Sequence, residues 1–73
     1  MTDTTLSGRV AANIRAELAR RNTTQEQLAT AINMARSSLH HRLSGRTAMT
    51  LEEVERIAGA LELDPDRLLT TRD

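Results

Sequence analysis

Residues 35–44 read ARSSLHHRLS, and the side chains there that could do chemistry are Arg36, Ser37, His40, His41 and Ser44. Wound as a helix at about 100° per residue, the stretch puts Leu39 and Leu43 on one apolar seam. Ser37, His41 and Ser44 then lie opposite the seam, His40 stands beside them, and Arg36 projects from the first turn. Adjacent histidines invite a metal or an acid–base reading. Helix neighbours diverge by about 100°, however, metal-binding pairs usually sit about four residues apart, and the chain has no cysteine. Nor does the sequence hold a nucleophile elbow, a cleft-forming glycine motif or a paired-carboxylate constellation. No catalytic residue, no metal site and no cofactor is therefore expected. What the stretch offers is a guanidinium fork, hydroxyls and imidazoles, with no acid and no large apolar group among them. Such a face suits a wet polar partner and poorly suits a dry protein interface.

The elements that must position these groups follow from local signals. Val10, Ile14 and Leu18, with Ala11, Ala12, Ala16 and Ala19 between them, predict an amphipathic helix from about Ser7, ended by Asn22 and Thr23. Thr24 with Gln27 three residues on is a capping-box pattern for a short second helix carrying Leu28, Ala29 and Ile32. Asn33 marks a sharp corner, since asparagine tolerates the left-handed backbone such a corner needs. Met34 sits at that corner, and the third helix runs from about Ala35 until Gly45 stops it. After a loop over residues 46–49, Thr50 and Glu53 repeat the capping box. The fourth helix has a seam of Leu51, Val54, Ile57, Ala58 and Leu61. Asp64 before Pro65 starts a short fifth helix with Leu68 and Leu69. Residues 1–6 are expected to fray. No strand pattern and no internal repeat is visible, so the prediction is an all-α fold of five helices forming one domain over residues 1–73.

Seventy-three residues suffice for one small core, which must be aliphatic because the chain has no aromatic residue. No apolar run approaches the ~20 residues of a membrane span, and the N-terminus lacks the order of a signal peptide, which makes the cytoplasm the expected compartment. A formal net charge of zero hides an uneven distribution: seven arginines against three acids over residues 1–49, and three against seven over residues 50–73. The first part is thus +4 and the second −4, which predicts an electrostatically two-faced molecule. Every cation is arginine, whose planar fork fits phosphate and base edges.

Thr24, Gln25, Leu28, Ala29, Ile32, Met34, Arg36, Ser37, Leu39 and Gly45, with the helices around them, resemble the phage-repressor and Cro-like helix-turn-helix family of XRE-type transcriptional regulators. The resemblance covers roughly residues 10–69. It implies a five-helix, lambda-repressor-like DNA-binding domain, not an enzyme, with double-stranded DNA as partner. Arg36, Ser37, His40 and His41 would contact base edges in the major groove. Thr24, Gln25, Ser44 and Arg46 would contact the DNA backbone, fixing register while the base contacts specify. The chain departs from the family in three places. Asn33 replaces a frequent glycine. Leu18 and Leu43 stand where many members pair an arginine with a glutamate, so an apolar contact is expected there. Arg42 occupies a usually apolar position, which implies a rotated helix or an arginine stem laid along the core.

Other charged and apolar groups carry plainer expectations. The run Glu52, Glu53, Glu55 reads as a solvated helix start favoured by the helix dipole. Arg20 and Arg21 read as surface charges, with a phosphate contact the less favoured role. Leu61, Leu63, Leu68 and Leu69 either close the core or supply a homodimer contact. The rival functional reading is an antitoxin-like or adaptor module that uses the same fold to bind a protein.

Overall fold

The computed structural model describes residues 5–70, in which five helices run in order: α1 (Leu6–Arg20), α2 (Gln25–Ala31), α3 (Arg36–Leu43), α4 (Leu51–Ala60) and α5 (Pro65–Leu69). No strand occurs among the described residues. Each start follows from its cap. Thr24 Oγ1 accepts from Gln27 N at 3.0 Å while Gln27 Oε1 accepts from Thr24 N at 2.9 Å. Thr50 and Glu53 make the same reciprocal pair. Asp64 accepts from Asp66 N, with proline at the first helical position. Thr5 accepts from Gly8 N, so Leu6 already opens α1. Residues 5 and 6 thus form the cap and first residue of α1, and residues 1–4 of the segment expected to fray lie outside the described residues.

The first four helices stop in one way. Asn22, Asn33, Gly45 and Glu62 all take positive φ. In each case the left-handed residue and its successor donate back to carbonyls in the last turn, as with Asn33 N to Thr30 O at 3.2 Å and Met34 N to Ala29 O at 2.9 Å. This double bond satisfies carbonyls the helix would otherwise leave orphaned, and it turns the chain sharply. The corner between α2 and α3 thus uses asparagine at φ 58° as expected. Glu62, also at φ 58°, is the surprise, since glutamate has no side-chain reason to prefer that conformation.

The core sits where the helices converge. Val10, Ala11, Ile14 and Leu18 from α1, Leu28, Ala29 and Ile32 from α2 and its end, and Leu39 and Leu43 from α3 join Val54, Ile57, Ala58, Leu61 and Leu68 in one buried cluster. Leu39 is fully enclosed, and burial of such a side chain contributes roughly 1.5–3 kcal/mol. Leu61 and Leu68 are buried in this cluster, with Leu63 and Leu69 packed against it. A homodimer contact through all four leucines is therefore corrected: the two buried ones are consumed by the core. Leu51, expected on the seam of α4, is instead 71% exposed. Helical side chains lean toward the N-terminus, so a first-turn residue overhangs the edge of the core even when its position shares the seam.

Candidate nucleic-acid interface

The beginning of α2 and the outer face of α3 flank an open groove lined by Thr24, Gln25, Glu26, Arg36, Ser37 and His40. The corner at Asn33 brings these two stretches together, while Leu39 and Leu43 turn inward and hold α3 against the core. Five of the expected base- and backbone-contact residues, Thr24, Gln25, Arg36, Ser37 and His40, therefore line one groove. Ala35, the residue before α3, provides no side-chain cap, so the first N–H groups of α3 stay open to a partner. Partial positive charge at such a helix start favours an anionic ligand.

Individual groups are already partly ordered. Gln25 Oε1 lies 3.4 Å from His40 Nδ1, linking the first turn of α2 to the last turn of α3. That leaves the Gln25 amide NH₂ as the donor available to a phosphate. Thr24 Oγ1 is occupied as the acceptor of the cap, yet its hydroxyl proton remains to donate. Arg36 and Ser37 are exposed. His41 is half-buried, with its ring centroid 6.2 Å from that of His40, and its carbonyl accepts from Arg46 N, Thr47 N and Ser44 Oγ. Ser44 is exposed but its hydroxyl proton is committed to that carbonyl at 3.2 Å, so it can meet a phosphate only by rotating. Arg46 is exposed just beyond the C-terminal end of α3, its backbone anchored on His41. Glu26 was not foreseen on this rim; it is an acid facing the same groove, placed by the first turn of α2.

Most of the other arginines turn out to be used internally. Arg42 is neither exposed on the groove nor sunk in the core: Nε donates to Glu53 Oε2 at 2.8 Å and Nη1 to Ser38 O at 3.1 Å. Glu53 is thus no freely solvated acid; burial raises its carboxyl pKa, but bonds from Arg42 and Thr50 and the Arg42 charge outweigh that and hold it below the usual range. Arg15 donates to the carbonyl of Leu43, and Arg56 to that of Ile32 at the corner. Arg20 and Arg21 bind Glu17 at 2.6 and 3.2 Å, and Arg67 stands 3.8 Å from it. The bond from Arg20 leads in lowering the Glu17 carboxyl, against the opposing effect of burial. Arg15, Arg56 and Arg67, and Arg42 toward Glu53, find their partners at long sequence separations that periodicity does not reveal, whereas Glu17 with Arg20 and Arg21 are local pairs at i,i+3 and i,i+4.

The charge map changes accordingly. Among the described residues, Arg9, Arg36 and Arg46 have side chains with no ion-pair or hydrogen-bond partner, and Arg36 and Arg46 bracket α3 at its two ends. Arg42–Glu53 and Arg67–Glu17 each join the basic first part of the chain to the acidic second, and because together they take one charge of each sign from each part, the +4 and −4 balance is unchanged. Leu18 and Leu43, at the positions where the family often places an ion pair, are both buried in the apolar cluster. A polar link between α1 and α3 survives, but it runs from Arg15 to a backbone carbonyl.

An all-helical domain built round a tight two-helix corner, whose second helix presents polar groups and an uncapped start to an open groove, defines a helix-turn-helix protein. Residues 14–68 match the model of the helix-turn-helix family, and the chain belongs to that family as a DNA-binding regulator of XRE type. Comparison with curated proteins and with solved structures gave no match. No helix among the described residues is long and apolar enough to cross a membrane. Among the same residues, no group of three or more His, Cys, Asp or Glu could hold a metal ion.

Proposed function

We propose that this chain is a sequence-specific transcriptional regulator of the repressor or Cro-like kind, reading double-stranded DNA by laying α3 in the major groove. The observation that carries this is the joint lining of one groove by the start of α2 and the outer face of α3, with Arg36, Ser37 and His40 on α3 facing Gln25 and the α2 N-cap Thr24. Arg36 is exposed and unpaired among the described residues, so its fork is free for a guanine edge, which it can bind bidentately. His40, steadied by Gln25, reads one turn further along. Thr24, Gln25 and the open N–H groups of α3 engage phosphates, and Arg46 takes a phosphate at the far end. Occupancy of an operator by this face would compete with polymerase.

Selection of bound sequences from a random duplex pool, followed by titration at increasing salt, tests the proposal. Binding should fall steeply with salt as counterions are released. Arg36→Ala should lose roughly 1–3 kcal/mol on the selected site and relax preference at one base pair. Equal loss on selected and random duplexes would reduce Arg36 to a phosphate contact. No duplex binding even at low salt would overturn the proposal and favour a protein-interaction module.

A further inference from the structure

The shortness of α3 poses a positional problem. Eight residues span about 12 Å, and the helix is seated by two buried side chains, Leu39 and Leu43, four apart on a single stripe. A helix resting on one stripe can rock about it. Side-chain tips lie about 5–6 Å from a helix axis, so a roll of roughly 10° moves them about 1 Å. Recognition geometry tolerates only about 0.5 Å.

Two arginines tie the helix to its neighbours on α1 and α4. Arg15 of α1 grips the carbonyl of Leu43. On the α4 side, Arg42 bonds at once to its own helix at Ser38 O and to Glu53 Oε2, with side chains only 22% and 12% exposed. The second oxygen of the same carboxylate accepts from Thr50 N at 2.9 Å, starting α4. One glutamate thus fixes the roll of α3 and the point where the loop carrying Arg46 ends. The opposite end of that loop is pinned by Arg46 N and Thr47 N on the His41 carbonyl, at 2.9 and 3.2 Å. An apolar contact at this place would allow sliding, whereas a charge-assisted hydrogen bond is directional. We infer that Arg42 and Glu53 are positioning residues that set the roll of α3 and its spacing from Arg46, so that base discrimination depends on an ion pair that itself touches no base. The inference rests on the DNA-reading function proposed above.

The test uses the duplex selected by the unmodified protein. Arg42→Met with Glu53→Gln removes the pair without changing net charge, and glutamine can still close the cap, as Gln27 does for α2. Dissociation constants for selected and random duplexes are measured at one salt concentration, with thermal melts to establish folding. The selected duplex should bind about ten-fold more weakly, the size of one lost base contact, with random-duplex binding within about two-fold of the original. Arg42→Lys, which keeps the charge but cannot bridge Ser38 and Glu53 with a fork, should fall between the two. A folded double variant with an unchanged ratio, or one that loses both duplexes equally, overturns the inference. If the double variant is unfolded at the assay temperature, the single Glu53→Gln change decides by the same ratio. An unmodified protein that selects no sequence refutes the DNA-reading function, and the positioning role with it; selection followed by an unaltered ratio refutes the positioning role alone.

Discussion

Replacing Glu17 by glutamine isolates one charge at the junction of α1 and α5. The Glu17 side chain is 8% exposed and receives Arg20 at 2.6 Å and Arg21 at 3.2 Å, with Arg67 at 3.8 Å. Breaking a fully buried ion pair costs about 3–5 kcal/mol, but exposed pairs are worth only about 0.2–1 kcal/mol. Here the arginines are 38–57% exposed and recover water when the charge is lost, so the cost lies between these limits. Glutamine keeps the size and one acceptor, which leaves roughly 1–2 kcal/mol for the change. In a domain of this size each kcal/mol moves Tm by about 4–8 °C, so the variant should melt about 5–15 °C lower near neutral pH. The pH dependence follows from the sign of the shift. Because the folded carboxyl lies below its ordinary value, its stabilisation is complete above about pH 5 and is lost as pH falls through the lowered folded pKa. Thermal melts of both proteins at several pH values should therefore converge under acid conditions. A Tm difference near zero at neutral pH, or one that persists undiminished in acid, refutes the reasoning.

Two further changes probe the groove and the chain reversals. Glu26→Gln removes the acid from the groove rim and should tighten low-salt duplex binding about two- to three-fold, corresponding to roughly 0.5 kcal/mol for one charge ~8 Å from a phosphate in water. The gain should fade as salt rises, and weaker binding would show that Glu26 accepts a hydrogen bond from a base. Glu62→Gly relieves a left-handed glutamate at φ 58°, and the relief exceeds the entropy glycine adds to the unfolded chain by roughly 0.5–1 kcal/mol. A calorimetric Tm that fails to rise would mean the glutamate side chain contributes something that offsets its backbone strain.

How far the sequence reached depends on the range of the interaction concerned. Thr24 with Gln27, Thr50 with Glu53, Asp64 with Pro65, Asn33 and Gly45 act within a few residues of themselves, so their caps and turns were legible in the chain order. The seams Val10–Ile14–Leu18 and Leu39–Leu43 repeat every four residues and therefore announced their buried faces. That local grammar fixed the helices, the corner and which side of α3 faces outward. Among the arginine ion pairs only those of Glu17 with Arg20 and Arg21, three and four positions apart at the end of one helix, lay within its range; the others were beyond it, because a long flexible side chain reaches whatever the fold brings near. Arg42 meets Glu53 across 11 positions, Arg15 reaches the Leu43 carbonyl across 28, and Asn13 bonds Leu68 O across 55. Leu51 shares the periodicity of its buried neighbours and is still exposed, since only the edge of the packed core decides where a stripe ceases to be covered. The groove rim, with Glu26 and the Gln25–His40 contact, likewise exists only once the corner has closed. Local sequence determined what α3 carries; the tertiary structure alone decided which charges remain free to use it and which are spent holding it in place.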